Sequence, residues 1–374
     1  MAGYAETLAD TRFEFPTSTA GQAMTALTPT SVRAYRDGDE PALVALFESA
    51  FGRQISVDHW RWKFKHTGSS MPNVWLAVAG ERPVFQCGGI PISFQLGHRR
   101  VTQMHVCDVM TAPDFRRRGL HTQVSRHAYD FWRERGVAFV SGMPNENWGK
   151  TAGALGWRPL FRLQWLMRPL RPEAFIFRRL GMRFAPRASL LGPIWSALWA
   201  ARARRDPSVS TEVVTVAGRE FDAIWDRCRD DFRFSIIRDA AWVQWRFVSP
   251  PTQPYRVVLA RQRGEPVGYS ASRLITRADR TTVQLAEIVA PESSRDVRAT
   301  LLAEVLETAA ASRAESIVTL AVPGTTRFRL LRSAGFLGGP AFDVEFVPLA
   351  SDLPETEMHD PLHWQLSGAD FDVI

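Results

Sequence analysis

Thr111-Ala112-Pro113-Asp114-Phe115-Arg116-Arg117-Arg118-Gly119-Leu120-His121 joins two segments of different period. Residues 102–110 before it read as a strand. Residues 119–135 after it set Leu120, Val124, Ala128, Phe131 and Trp132 along one side, as an amphipathic helix does. A loop that turns from a strand into a helix aims unpaired N–H groups at one point, and the helix terminus adds partial positive charge. A pyrophosphate fits such a point. Gly119 lets the backbone approach it closely, and Arg116, Arg117 and Arg118 can add charge. The competing reading is a solvated basic turn.

Working outward, the chain looks like one unit written twice. Trp60-Arg61-Trp62-Lys63-Phe64 has a counterpart in Trp242-Val243-Gln244-Trp245-Arg246-Phe247, and strand-like stretches and Gly-containing turns follow both. Trp62 precedes Val84 by 22 residues, and Trp245 precedes Val267 by 22. Pro144 precedes Gly156-Trp157 by 12, and Pro323 precedes Gly335-Phe336 by 12. Within the first copy the pattern predicts helix 40–51, strand 102–110, helix 119–135, strand 138–142 and a short helix 150–155 stopped at Gly156. The second copy predicts helix 296–311 and strand 316–322. Strands alternating with helices around a mixed sheet give an α/β (α+β layered) fold.

Composition bounds the rest. At 374 residues with 45% hydrophobic and 23% charged residues, the chain is globular and long enough for two domains. Its 46 basic residues include only three lysines, Lys63, Lys65 and Lys150, a skew that suits a GC-rich bacterial genome. Net charge is +7, but ten arginines and one acid, Glu173, lie in 162–205, so the basicity is local and argues against a nucleic-acid partner. Cys87, Cys107 and Cys228 lack Cys-x-x-Cys spacing, which predicts neither a disulfide framework nor a metal site. With no signal-peptide pattern and no run long enough to span a membrane, the expected location is cytoplasmic. Segment 162–205 mixes apolar residues with its arginines. It reads either as a connector packed between the copies or as a peripheral membrane or protein contact.

The loop resembles that of the Gcn5-related N-acetyltransferase (GNAT) superfamily: Arg or Gln, two residues, Gly, one residue, then Gly or Ala. Arg116 and Gly119 match, and His121 replaces the last small residue. Val32 to Glu40, Pro144-Asn145 and Leu155-Gly156-Trp157 are similar to the family as well. The likeness covers 30–165 well and 211–350 faintly. It implies a tandem member: a tail 1–29, an acyl-CoA-binding domain 30–165, a basic amphipathic connector 166–210, a degenerate domain 211–350 and a C-terminal tail 351–374.

The resemblance further implies acetyl-CoA as co-substrate and direct transfer to a primary amine of a small molecule, with an amino sugar as leading acceptor. Val109, Met110 and Thr111 would lie nearest the thioester. Arg116, Arg117, Arg118, Gly119, Leu120, His121 and Asn145 would contact coenzyme A. Asp108 is the first candidate for the base, with a loop anchor as its competing role. His105 is a second catalytic candidate; with Cys107 it falls on the face opposite Asp108 by strand alternation, a place that packing residues also take. Family members often carry a thiolate-protonating tyrosine four residues before the Gly-aromatic pair; Ala152 and Leu331 stand at those positions. That departure and His121 favour a non-catalytic coenzyme A-binding or regulatory protein, and an aminoacyl-tRNA-dependent tandem transferase is a third reading. The tryptophan pairs are expected in the core rather than along a substrate cleft. Segment 364–372, with Asp370 and Asp372, is expected as a solvated terminus, the other reading being an acidic tail folded into a cleft to attract a cationic amine.

Overall fold

Two short hairpin turns, at Gly80 (φ 63°) and Gly97 (φ 62°), build the first half of the sheet in a computed structural model that describes residues 29–65, 70–143, 152–171, 205–252, 255–277 and 280–371. β1 (Ser31–Ala34), β2 (Val74–Ala79), β3 (Arg82–Leu96) and β4 (Arg99–Thr111) follow one another antiparallel. Helices α1 (Glu40–Phe51) and α2 (Val57–Lys65) precede β2. α3 (Leu120–Glu134) buries Leu120, Val124, Ala128, Tyr129 and Trp132, then returns the chain to β5 (Val137–Gly142), parallel to β4. The expected helix 150–155 is, where described, a single 3-10 turn at Gly153–Leu155, ended by the left-handed Gly156. β6 (Arg158–Pro169) follows, so residues 162–169 of the basic segment are strand, and 172–204 lie outside the described residues.

The second half repeats this order. β7 (Val209–Val214), α4 (Arg219–Cys228), β8 (Phe234–Ile236) and α5 (Ala240–Val243) lead into the antiparallel β9 (Arg256–Gln262), β10 (Glu265–Arg277) and β11 (Arg280–Val289). Then come α6 (Arg295–Ala311), β12 (Ser316–Ala321), α7 (Thr326–Ser333), β13 (Leu337–Pro348) and β14 (Trp364–Gln365). The long strands form one continuous sheet in the order β1-β2-β3-β4-β5-β13-β6-β12-β11-β10-β9-β7.

That order shows an exchange. The last long strand of the second half, β13, lies between β5 and β6 of the first, and β6 pairs with β12 of the second. Each half therefore completes its sheet with the other's final strand. The relation is reciprocal in side chains too. Trp62 Nε1 donates to Trp245 O at 2.8 Å, Trp245 Nε1 donates to Trp62 O at 2.9 Å, and the rings stack at 5.6 Å. Such an isologous contact is what two copies of one unit make about a two-fold axis.

Candidate active site

β4 and β5 pair in parallel from Thr102↔Val137 to His105↔Ser141, and the pairing stops there. Beyond that point β4 continues to Thr111 along β3 alone, which leaves a gap between the two central strands. Within the same stretch Gln86 pairs with Met110 and Gly88 with Cys107, so β4 carries one residue more than β3. This is a β-bulge, and Asp108 takes it up with a left-handed φ of 48°.

The bulge corrects the sequence-based alternation. The ring of Phe64 on α2 lies where a Cβ on Gly88 would be, so Gly88, and with it Ile90 and the paired His105, face α2. The Asp108 carboxylate meets Lys63 of α2 at 2.8 Å, with both side chains almost fully buried. Asp108 and His105 thus share one face of the sheet. On that face His105 Nδ1 is 3.2 Å from Ser141 Oγ, and its ring is 6.0 Å from that of Phe371. Trp60 Nε1 donates to Gln86 Oε1 at 3.1 Å, and Gln86 Nε2 donates to the Asp108 carbonyl at 3.1 Å. Met104 packs on the other face, against Trp132 of α3 near Gly89.

The loop after β4 is built to leave amides open. A 3-10 turn at Pro113–Phe115 is pinned by Arg82, which bonds Asp114 at 2.8 Å and 3.1 Å. Arg117 (φ 62°) and Gly119 (φ 75°) are left-handed, and Gly119 precedes α3 with no side-chain cap. The first helical bond runs from Gln123 N–H to Gly119 O, so the amides of the opening turn look outward. Alternating backbone hands with open amides make an anion-binding concavity. A Cβ on Gly119 would meet nothing within 4 Å, and an open groove of about 720 Å³ runs from it past Thr122, Gln123 and Arg126. These residues fit a phosphate-bearing group such as coenzyme A.

The individual site residues differ in what they do. Arg116 and Arg117 are exposed, whereas Arg118 is turned back on the loop, donating to Asp114 O at 2.8 Å and lying 4.4 Å above the Phe115 ring. Leu120 is core. His121, the departure from the family pattern, sits 6.1 Å from the Phe85 ring, and burial pushes its pKa down, so it is neutral at neutral pH. Val109 and Thr111 are half-buried and Met110 is buried. Asn145 lies outside the described residues. Ala152 and Leu331 are buried, as expected of residues that do no chemistry. A tyrosine from another element, Tyr129, packs 6.3 Å from Trp157, its phenol held well above its ordinary range by burial. Sequence reasoning missed Lys63, Gln86, Ser141 and Tyr129; only Lys63 carried a signal, its rarity.

The second half has the corresponding parting. β11 and β12 pair only from Thr282↔Ser316 to Gln284↔Val318, and β11 bulges at Ala286. Here the chain's own end enters the gap. Gly368 sits against Ala286, and the turn Gly368–Asp370 packs on both strands. Arg238, fully buried, donates to both Asp370 oxygens at 2.8 Å and 2.6 Å, to Glu287 at 2.8 Å and to Ser235 at 2.8 Å. Arg246, the counterpart of Lys63, donates to Ala369 O at 2.9 Å and Phe371 O at 3.1 Å. The segment expected to be a solvated terminus is therefore core up to Phe371. The second loop is filled as well: Asp231 accepts from the Glu292 amide at 2.7 Å, and Arg298 donates to Pro291 O and Glu292 O, each at 2.6 Å.

The first half thus combines a mixed sheet with parted central strands, a bulged strand and an open loop into a helix. Residues 18–160 match the family model described as an acetyltransferase (GNAT) domain. That stretch is thus similar to a GNAT domain. The fold of the chain is similar to a GCN5-related N-acetyltransferase from Anabaena variabilis ATCC 29413, at TM-score 0.62 and 12% identity over 86% of this chain and 73% of that one. It is also similar to a GCN5-related N-acetyltransferase from Kribbella flavida (TM-score 0.58, 15% identity, 85% and 70% covered). A probable N-acyltransferase from Enterococcus faecalis V583 gives TM-score 0.61 at 12% identity, with 85% and 72% covered. At these identities the likeness is one of fold. No curated protein matches the sequence. Among the described residues, no helix is long and apolar enough to cross a membrane, and no group of three His, Cys, Asp or Glu could hold a metal.

Proposed function

We propose that the first half binds acyl-CoA, acetyl-CoA foremost, and transfers the acyl group to the primary amine of a small molecule, an amino sugar being the first acceptor to try. The observation that carries this reading is the parted β4/β5 pair beside an uncapped, left-handed loop into α3. The opening amides of α3, with Arg116 and Arg117, hold the pyrophosphate, and Gly119 admits it. Those amides of 109–111 that do not pair with β3, on the strand freed from β5, stabilise the oxyanion that forms on the acyl carbonyl. The thioester supplies an activated carbonyl carbon.

For the amine to attack, it must lose a proton on the α2 face of the sheet. Two groups there could take it. Asp108 already faces the Lys63 ammonium, which stabilises the carboxylate and weakens it as a base. His105, oriented by Ser141, is the better acceptor. As the amine nitrogen bonds to carbon and the carbon–sulfur bond breaks, this proton passes to His105, and the thiolate leaves to be protonated by solvent. The second half, its cleft filled by 368–370 and its loop by Asp231 and Arg298, serves as a partner in strand exchange rather than as a second site.

The test is acetyl transfer from acetyl-CoA to a panel of amino sugars and other small amines, with His105→Gln beside the wild type. The reading expects turnover on at least one amine and a loss of about 10²–10⁴-fold in kcat/KM for the variant. A folded protein that binds acetyl-CoA yet acylates no amine would sink it.

A further inference from the structure

A left-handed φ at a residue that is not glycine costs energy and persists only where its surroundings impose it. Asp108 is such a residue, at the bulge of the strand that faces the acyl group in the proposed reaction. Its surroundings come from α2 and β3. Lys63 Nζ holds the carboxylate at 2.8 Å, Gln86 Nε2 holds the carbonyl at 3.1 Å, and Trp60 Nε1 holds Gln86 at 3.1 Å. Lys63 is also one of three lysines among 46 basic residues, in a chain that otherwise uses arginine. A compact point charge on a long stem suits a buried carboxylate, where a guanidinium would bring further donors that need partners.

The second half offers an internal comparison. Arg246 stands at the place of Lys63 and, by strand register, Glu287 at the place of Asp108, but Glu287 is held by Arg238 at 2.8 Å and by the Tyr269 hydroxyl. Arg246 instead bonds Ala369 O and Phe371 O of the segment that fills the cleft. The cation is kept in both halves. It grips a bulge acid in the half with an open loop, and the chain terminus in the half without one.

We infer that Lys63 is a positioning residue: acting through Asp108, its ammonium fixes the left-handed bulge and so aims those amides of 109–111 that do not pair with β3 into the gap between β4 and β5. Asp108 is then a conformational anchor and takes no proton from the amine. This rests on the proposed acyl transfer, but its signature in stability does not.

The decisive comparison is Asp108→Gly against Asp108→Ala, with Lys63→Met, Lys63→Arg and Asp108→Asn alongside. Both Gly and Ala leave Lys63 without this carboxylate, so their difference isolates the backbone. Glycine takes a φ of 48° without strain, and alanine does not. Asp108→Gly is expected to melt about 2 °C above Asp108→Ala and to keep at least about tenfold more kcat. Lys63→Met should lower kcat by about 10–100-fold with the KM for acetyl-CoA within about threefold, since the amides act on the transition state. Lys63→Arg should restore part of it. The acid limb of the kcat/KM profile should stay in place in Asp108→Gly. Asp108→Gly as inactive as Asp108→Ala, with the acid limb gone, would make Asp108 the base and overturn the inference. Equal melting temperatures would overturn it too. If the wild type acylates no amine, the proposed function falls, and the melting order still decides whether Lys63 and its neighbours hold a strained turn.

Discussion

Asp370→Ala removes one side chain from a buried cluster that ties the chain terminus to the second cleft. Arg238 is fully buried, and its donors are shared among Asp370, Glu287, Ser235 and Ile236 O. Without Asp370 two of those bonds vanish, and Ser367 loses the carboxylate that accepts from its N–H at 2.7 Å and its hydroxyl at 3.0 Å. Breaking a buried pair from one side costs about 3–5 kcal/mol. Because Glu287 still faces Arg238, the lower half of that range, about 3–4 kcal/mol, applies. With roughly 2.1 cal/mol/K of unfolding entropy per residue, 374 residues carry about 0.8 kcal/mol/K, so Tm should fall by about 4–5 °C. Asp352→Ala is the control, since its pair with Arg99 at 2.6 Å is solvent-exposed on both sides and is worth about 0–1 kcal/mol. Arg238→Met should cost more than either, because it strips Glu287 and Asp370 of the cation that bonds both and leaves only the charge of buried Arg327 near them. Calorimetry or chemical unfolding would measure all three. Asp370→Ala melting within about 1 °C of Asp352→Ala would refute the view that this cluster locks the terminus in place.

The thiols and carboxyls give two further expectations. Burial pushes Cys87 and Cys228 each up to about 12, so a disulfide reagent at pH 8 should modify at most Cys107 in the native protein and all three cysteines after unfolding; fast reaction of two would contradict the packing. Burial alone would raise Glu40, but hydrogen bonds from its own amide, Arg61, Tyr35 and Gly38 outweigh it and hold the carboxyl at about 2. Its contribution to stability is therefore complete above pH 4.5 and lost as pH falls toward 2, and Glu40→Gln should flatten a Tm-against-pH curve in that window. Asp370 runs the other way: burial, countered by Arg238, leaves its carboxyl above its ordinary value, so its titration is not a source of acid unfolding.

What the sequence carried was local. The helix over 40–51 ends where its apolar spacing ends, at the left-handed Gly52 (φ 67°), and the helix after Gly119 follows its stripe to Glu134. The repeat was legible because duplicated spacings survive divergence, and the Trp62–Trp245 contact bears out their equivalence. The exchange of β6 and β13 was not legible. Both are good strands in either place, and which neighbour each pairs with is decided by contacts about 180 residues away. The bulge was hidden because an aspartate, and no glycine, carries the positive φ, so alternation put Asp108 on the wrong face. The buried terminus was hidden for a similar reason: Asp370 looks like a tail acid until Arg238, 132 residues earlier, is placed beside it.

Calorimetric titration of the full chain with coenzyme A is the decisive measurement, because the first half offers an open loop and the second a filled cleft. Gly119→Asp is the matched variant. Aspartate tolerates the left-handed φ of 75°, a Cβ there meets nothing within 4 Å, and the new carboxylate faces the phosphate position. The account expects one coenzyme A per chain for the wild type and none for the variant, with both folded. Two molecules per chain, none in the wild type, or undiminished binding by Gly119→Asp would contradict it.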